Sequence, residues 1–136
     1  MIVADIFELA IAGVLDRGQP NLERIAIVAL QQVNTGQYGL MLGIKGEGAS
    51  ATPIRDNLLW FGDSIVNPGD IIFVYTGPGQ FKVSEVPNNS TRLISVHWGR
   101  PKTILGNQNI VPILFRVDAV EILNEAPAAL TAPQTS

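Results

Sequence analysis

Asn67-Pro68-Gly69-Asp70 constrains this chain more than any other segment. Proline presets φ at the second position of a reverse turn, and glycine accepts the positive φ a type II turn needs at the third. A dense apolar run, Ile71 to Tyr75, follows at once and stops at Gly77-Pro78-Gly79. A second run, Leu93 to Trp98, ends at Gly99-Arg100-Pro101. From Asn57 to Arg100 the chain therefore alternates turn, strand, glycine stop and strand, the rhythm of an antiparallel β domain. That rhythm carries no reaction signature.

The rest of the chain repeats it. Residues 2–15 fit both helical and strand spacing. The loop Asp16-Arg17-Gly18-Gln19-Pro20-Asn21 and the β-branched run Arg24–Leu30 behind them favour a strand over 5–14. A third strand is expected over Tyr38–Ile44, a polar loop over Gly46–Pro53 and a short strand over Asn57–Phe61. Ile71–Tyr75 is apolar at both parities and reads as a central strand covered on both faces. Gln80–Val86 reads as an edge strand and Pro87-Asn88-Asn89-Ser90 as a turn. In Leu93–Trp98, parity turns Ile94, Val96 and Trp98 inward and Ser95 and His97 outward. Ile104 and Leu105 sit in a long loop and are expected to fold back as a plug. Ile110–Leu123 changes parity near Ala119, which predicts a β-bulge in one long last strand. The expected fold is an all-β, immunoglobulin-like β-sandwich of about eight or nine short strands. It occupies residues 1–124, followed by an Ala/Pro/Thr-rich tail at 125–136 too poor in packing residues to order itself.

Composition narrows the function classes. The 136 residues suffice for one domain with its own core. The chain has no cysteine and a single histidine, which removes thiolate and multi-histidine metal sites. Net charge is −3, against a dedicated nucleic-acid binder. Charged residues make up only 15%, where about 25% is usual. So few charges cannot coat a surface generously, and apolar surface covered by another copy or a protein partner is expected. The N-terminal stretch carries Asp5 and Glu8 with no Lys or Arg before Arg17, unlike a signal peptide. No apolar run approaches the roughly 20 residues of a membrane helix. A cytoplasmic chain with no membrane association is expected.

The order of signals resembles the lamin-tail family, an immunoglobulin-like sandwich. FELAIAGVLDRGQPNLERIAIVAL is similar to that family's opening strand, Gly/Asn loop and second strand. NTGQYGLML, FGDSIVNPGDIIFVYTGPG and HWGRPKTILGNQN match its later turns across residues 5–123. IVPILFRVDAVEIL departs from it, because the last strand should be interrupted or followed by a Gly or Asp turn. The resemblance implies a non-enzymatic module of the kind found in filament, surface-attachment and nucleic-acid-associated proteins.

Candidate chemistry is sparse. Ser95 shares a face with His97, and Asp63 and Asp70 are the candidates to orient the ring, but same-face neighbours on a strand lie roughly 6–7 Å apart, too far for a direct bond. No catalytic residue is assigned. Gly77-Pro78-Gly79-Gln80 lacks the Gly-Lys-Ser/Thr ending of a phosphate loop. Asp63 and Asp70 lack calcium-loop spacing and read as turn formers. No metal and no cofactor is expected. One mixed patch remains: Arg92, His97, Arg100 and Lys102 around Trp98, residue types that hold phosphate or stack a base. The leading expectation is a self-associating, non-catalytic module. The alternatives are an anion or nucleic-acid binder using that patch, and an enzyme or sugar-binding site built from Trp60, Tyr75 and neighbouring carboxylates.

Overall fold

The computed structural model describes residues 5–87 and 90–124. Its strands are β1 (Leu9–Leu15), β2 (Arg24–Ala29), β3 (Val33–Asn34), β4 (Tyr38–Lys45), β5 (Ala51–Trp60), β6 (Ile65–Val66), β7 (Ile71–Tyr75), β8 (Lys82–Glu85), β9 (Arg92–His97) and β10 (Ile110–Arg116). A single 3-10 turn, Thr35–Gln37, is the one helical element among the described residues. Two of the strands, β3 and β6, are only two residues long and pair with each other. The eight longer ones form a five-stranded sheet in the order β1-β2-β7-β9-β8 and a three-stranded sheet in the order β10-β4-β5. The fold is an all-β sandwich.

Alternation builds the core. Ile25, Ile27 and Ala29 of β2 point inward beside Ile72 and Val74 of β7 and Ile94 of β9. Tyr38, Leu40 and Leu42 of β4 meet them from the other sheet, all in one cluster. Leu105 joins that cluster fully buried, so the 100–109 loop does plug the core. Truncating a side chain such as Leu40 to alanine typically costs about 2–5 kcal/mol.

The Asn-Pro-Gly-Asp turn forms as its residues dictate. Gly69 takes φ 90°, and Asp70 N donates to Asn67 O at 3.0 Å. Asp70 does more than turn the chain. Buried at 1% exposure, its carboxylate accepts from Asn67 N and Arg92 N and pairs with the Arg92 guanidinium at 2.7 Å. Glu23, equally buried, accepts from Gly18 N, Thr76 Oγ1, Ile104 N and Leu105 N at 2.6–2.9 Å. It thereby fastens the plug to the five-stranded sheet. Burial pushes both carboxyls up, but hydrogen bonds outweigh it and hold each below its ordinary value. A third carboxylate, Glu8, accepts from the Tyr38 hydroxyl and from Arg116, tying the approach to β1 to β4 and β10.

Several expectations change. The first strand is Leu9–Leu15, not 5–14; residues 2–4 lie outside the described residues. The polar loop ends at Ser50, and β5 starts at Ala51 and runs through Pro53. Asp56, at φ 64°, lies in a register shift that absorbs extra residues between Pro53 and Leu58. β10 stops at Arg116, with no bulge at Ala119, and residues 117–124 leave the sheet. β7 buries Ile72 and Val74, while its outer residues Ile71, Phe73 and Tyr75 are only half-buried. The Asn88-Asn89 turn centre and the 125–136 tail lie outside the described residues.

Candidate functional site

The four residues picked for an anion patch do not converge. Arg92 begins β9 and His97 ends it, roughly 16 Å apart by strand rise. Arg92 is also spoken for, by Asp70 and by Ile65 O. His97 points away from the core, as parity requires, and stacks on Tyr75 with centroids 5.0 Å apart. Its Nδ1 is buried without a hydrogen-bond partner. Gly79 makes room for the ring: a Cβ there would sit 2.3 Å from His97 Cε1. Arg100 is half-buried and Lys102 exposed at the neighbouring turn.

Phe73, Tyr75 and His97 instead form a packed outer layer on the five-stranded sheet. Phe73 meets Tyr75 edge-on at 6.2 Å, and the Arg24 guanidinium lies 4.8 Å from the Phe73 ring centre. Asp16 holds Arg24 from the side at 2.7 Å. Trp60 is on the far side of the molecule, paired with Gly39 in the three-stranded sheet. Trp60 and Tyr75 are therefore on opposite outer faces with the core between them, and cannot share one ligand.

The three-stranded sheet is different. Register places Met41 and Gly39 of β4, Leu58 and Trp60 of β5 and Ile113 and Phe115 of β10 on its outer face. Leu58 and Trp60 are 59% and 57% exposed. Gly39 lets β10 lie close: a Cβ there would come within 2.4 Å of the Phe115 ring and 2.5 Å of Leu59 O. The same face continues into a groove of about 1160 Å³ that follows β10 from Lys45 and Gly48 to Asp118 and wraps round its free edge to Ile6. Its floor is apolar, formed by Met41, Val111, Ile113 and Phe115. Arg17 and Lys45 line it as well. Arg17 donates to three carbonyls, those of Leu105, Asn107 and Ile110. Neither cation has an ion-pair partner among the described residues.

The edges of this sheet are closed to strand addition at particular points. Lys45 N donates to Asn109 O and Val117 N to Gln37 O. Hydrogen-bonded residues alternate along an antiparallel ladder, so Ile110, Pro112, Leu114 and Arg116 turn their backbone to the open edge. Pro112 has no N–H to offer there, and Ile110 is already satisfied by Asn107 and Arg17. On β5 the bond from Gly46 N to Ser50 O puts Pro53 at an open-edge position by the same alternation. Proline at edge positions blunts edge-to-edge pairing. Only the face remains broadly available.

No family model, curated protein or solved structure matches the chain. What the surface binds has to follow from its own chemistry. Among the described residues, no group of three or more His, Cys, Asp or Glu side chains is placed to hold a metal ion. No helix of the described residues is long and apolar enough to cross a membrane.

Sequence reasoning missed Arg17, Glu23 and Glu8, because each acts on partners far along the chain. It also missed the outer face as a unit. That face needs the register of three strands, and β10 is apolar at both parities, so its own pattern does not say which side is outward.

Proposed function

We propose that this chain is a non-catalytic β-sandwich module that works by association with copies of itself, through the outer face of its three-stranded sheet. The observation that carries the reading is that face: Leu58, Trp60, Met41, Ile113 and Phe115 form one apolar surface on a sheet whose edges bear prolines. Contiguous exposed apolar area of this kind marks interaction sites. Low charge content favours the same reading, since an interface core is depleted in charge. The lamin-tail likeness of the turns around Asn67-Pro68-Gly69-Asp70 agrees with a binding module, although a fold-level likeness assigns no partner.

Sedimentation of the wild-type chain tests the proposal. A mass that rises above the monomer with concentration is expected, and an Ile113→Asp variant should shift back to monomer. A wild-type chain that stays monomeric throughout would remove the reading.

A further inference from the structure

Residues 117–124, Val-Asp-Ala-Val-Glu-Ile-Leu-Asn, leave the sandwich at the end of β10 and carry its most exposed large apolar side chains. Val120, Ile122 and Leu123 are 71%, 79% and 81% exposed. A segment with three such side chains held in solvent has hydrophobic free energy to gain from any apolar surface it meets.

The groove along β10 matches it in length, chemistry and charge. The groove follows β10 from Val111 to Arg116, roughly 20 Å at strand rise. Eight extended residues span at most about 29 Å, so the arm can cover the groove from end to end. Apolar floor residues Met41, Val111, Ile113 and Phe115 suit Val120, Ile122 and Leu123. Arg17 and Lys45, both without a carboxylate partner among the described residues, suit the acidic Glu121. Of the arm's residues only Asp118, held by Arg116 at 2.8 Å, lines its own groove. Pro112 and the Arg17-capped carbonyl of Ile110 prevent a full backbone ladder on this edge. Recognition therefore runs through side chains.

We infer that the 117–124 arm of one chain seats in the β10 groove of a second copy. This rests on the self-association proposed above and names the contact that makes it. Exchange of an arm between identical chains is a low-cost route to an oligomer, because it reuses one complementary pair of surfaces in every subunit.

The chain has no cysteine, so single introduced thiols report contacts cleanly. Full-length Val111→Cys and Ile122→Cys chains, mixed and oxidised, should yield a disulfide-linked heterodimer as the main product. Ile122→Cys mixed with Glu85→Cys, on β8 at the far edge of the other sheet, is the control and should yield little. A Val111/Ile122 pairing no stronger than this control overturns the inference. So does a chain carrying both substitutions that closes on itself while the mixture does not link, since the arm then fills its own groove. An Ile122→Asp/Leu123→Asp variant should weaken association at least tenfold. A wild-type oligomer that neither cross-links at these positions nor responds to that variant overturns the arm contact and leaves self-association standing. A monomeric wild type overturns both.

Discussion

The two outer faces of the sandwich are built from similar residue types and end in opposite states. On the five-stranded sheet, Phe73, Tyr75 and His97 are layered against one another, and Arg24 lies over the rings with Asp16 beside it. On the three-stranded sheet, Trp60 and Leu58 stand mostly in solvent, and two of the central strand's outward positions, Gly39 and Gly43, have no side chain to screen them. Apolar content is thus not what separates the two faces. The difference is whether local cations, stacking and loops already cover it. The face closed from within contributes to the fold, whereas the face left open has surface to offer a partner.

The sharpest way to break this contrast is to attack the closed side at its anchor. Glu23→Ala strands four donors, two of them the plug's amides, and should cost at least about 3 kcal/mol in chemical denaturation. If the plug is truly internal to the closed half, Glu23→Gln should restore part of that loss. A Glu23→Ala chain of unchanged stability would show that the anchor carries nothing.

Protonation probes the same anchors without mutation. Glu23 and Asp70 have folded pKa values depressed below their ordinary 4.5 and 3.8. Their contribution is therefore present in full above those values and is lost as pH falls through the depressed ones. Tyr38 runs the other way. Burial and its bond to Glu8 push its pKa from 10.0 up to about 12, so its contribution is complete below pH 10.0 and fades as pH rises towards about 12. Denaturation midpoints measured across both windows should fall at each end. A flat acid limb would contradict the two buried carboxylate clamps.

Substitutions on the open face should behave differently. Ile113→Asp on the outer face is expected to change monomer stability by less than about 1 kcal/mol, while lowering association affinity at least tenfold. If it instead unfolds the chain, the face is part of the core and the contrast fails. The smallest effect is expected at the loop after Trp98. Changing Arg100 and Lys102 together to alanine should leave stability within about 0.5 kcal/mol and leave assembly untouched. Steep, salt-dependent nucleic-acid binding that these two changes abolish would instead favour the anion-binding reading.

How much of this was legible depended on how local the cause was. The turn at 67–70, the strands β7 and β9, the outward His97 and the plugging Leu105 follow from signals within a few residues: proline and glycine geometry, and strand parity. Pro53 closes a polar, glycine-bearing stretch that looks like loop, yet on an edge with its nitrogen facing outward it costs no ladder bond. The last strand was read too far. Val120, Ile122 and Leu123 are apolar enough for a strand, but after the bond from Val117 N to Gln37 O no strand of the described residues pairs with the chain. Arg92 separates from the basic patch because its partner is Asp70, 22 residues earlier, and ion pairs of that range leave no periodic trace. The open face was hidden for the same reason, being a property of three registers rather than of one segment.

Sedimentation equilibrium of the wild-type chain from about 1 to 100 µM, beside Ile113→Asp under the same conditions, tests the central claim most directly. Self-association through the open face predicts a wild-type mass that climbs above the monomer and a variant that stays at it. A wild-type chain that remains monomeric at every concentration, or a variant that assembles as readily as the wild type, would contradict it.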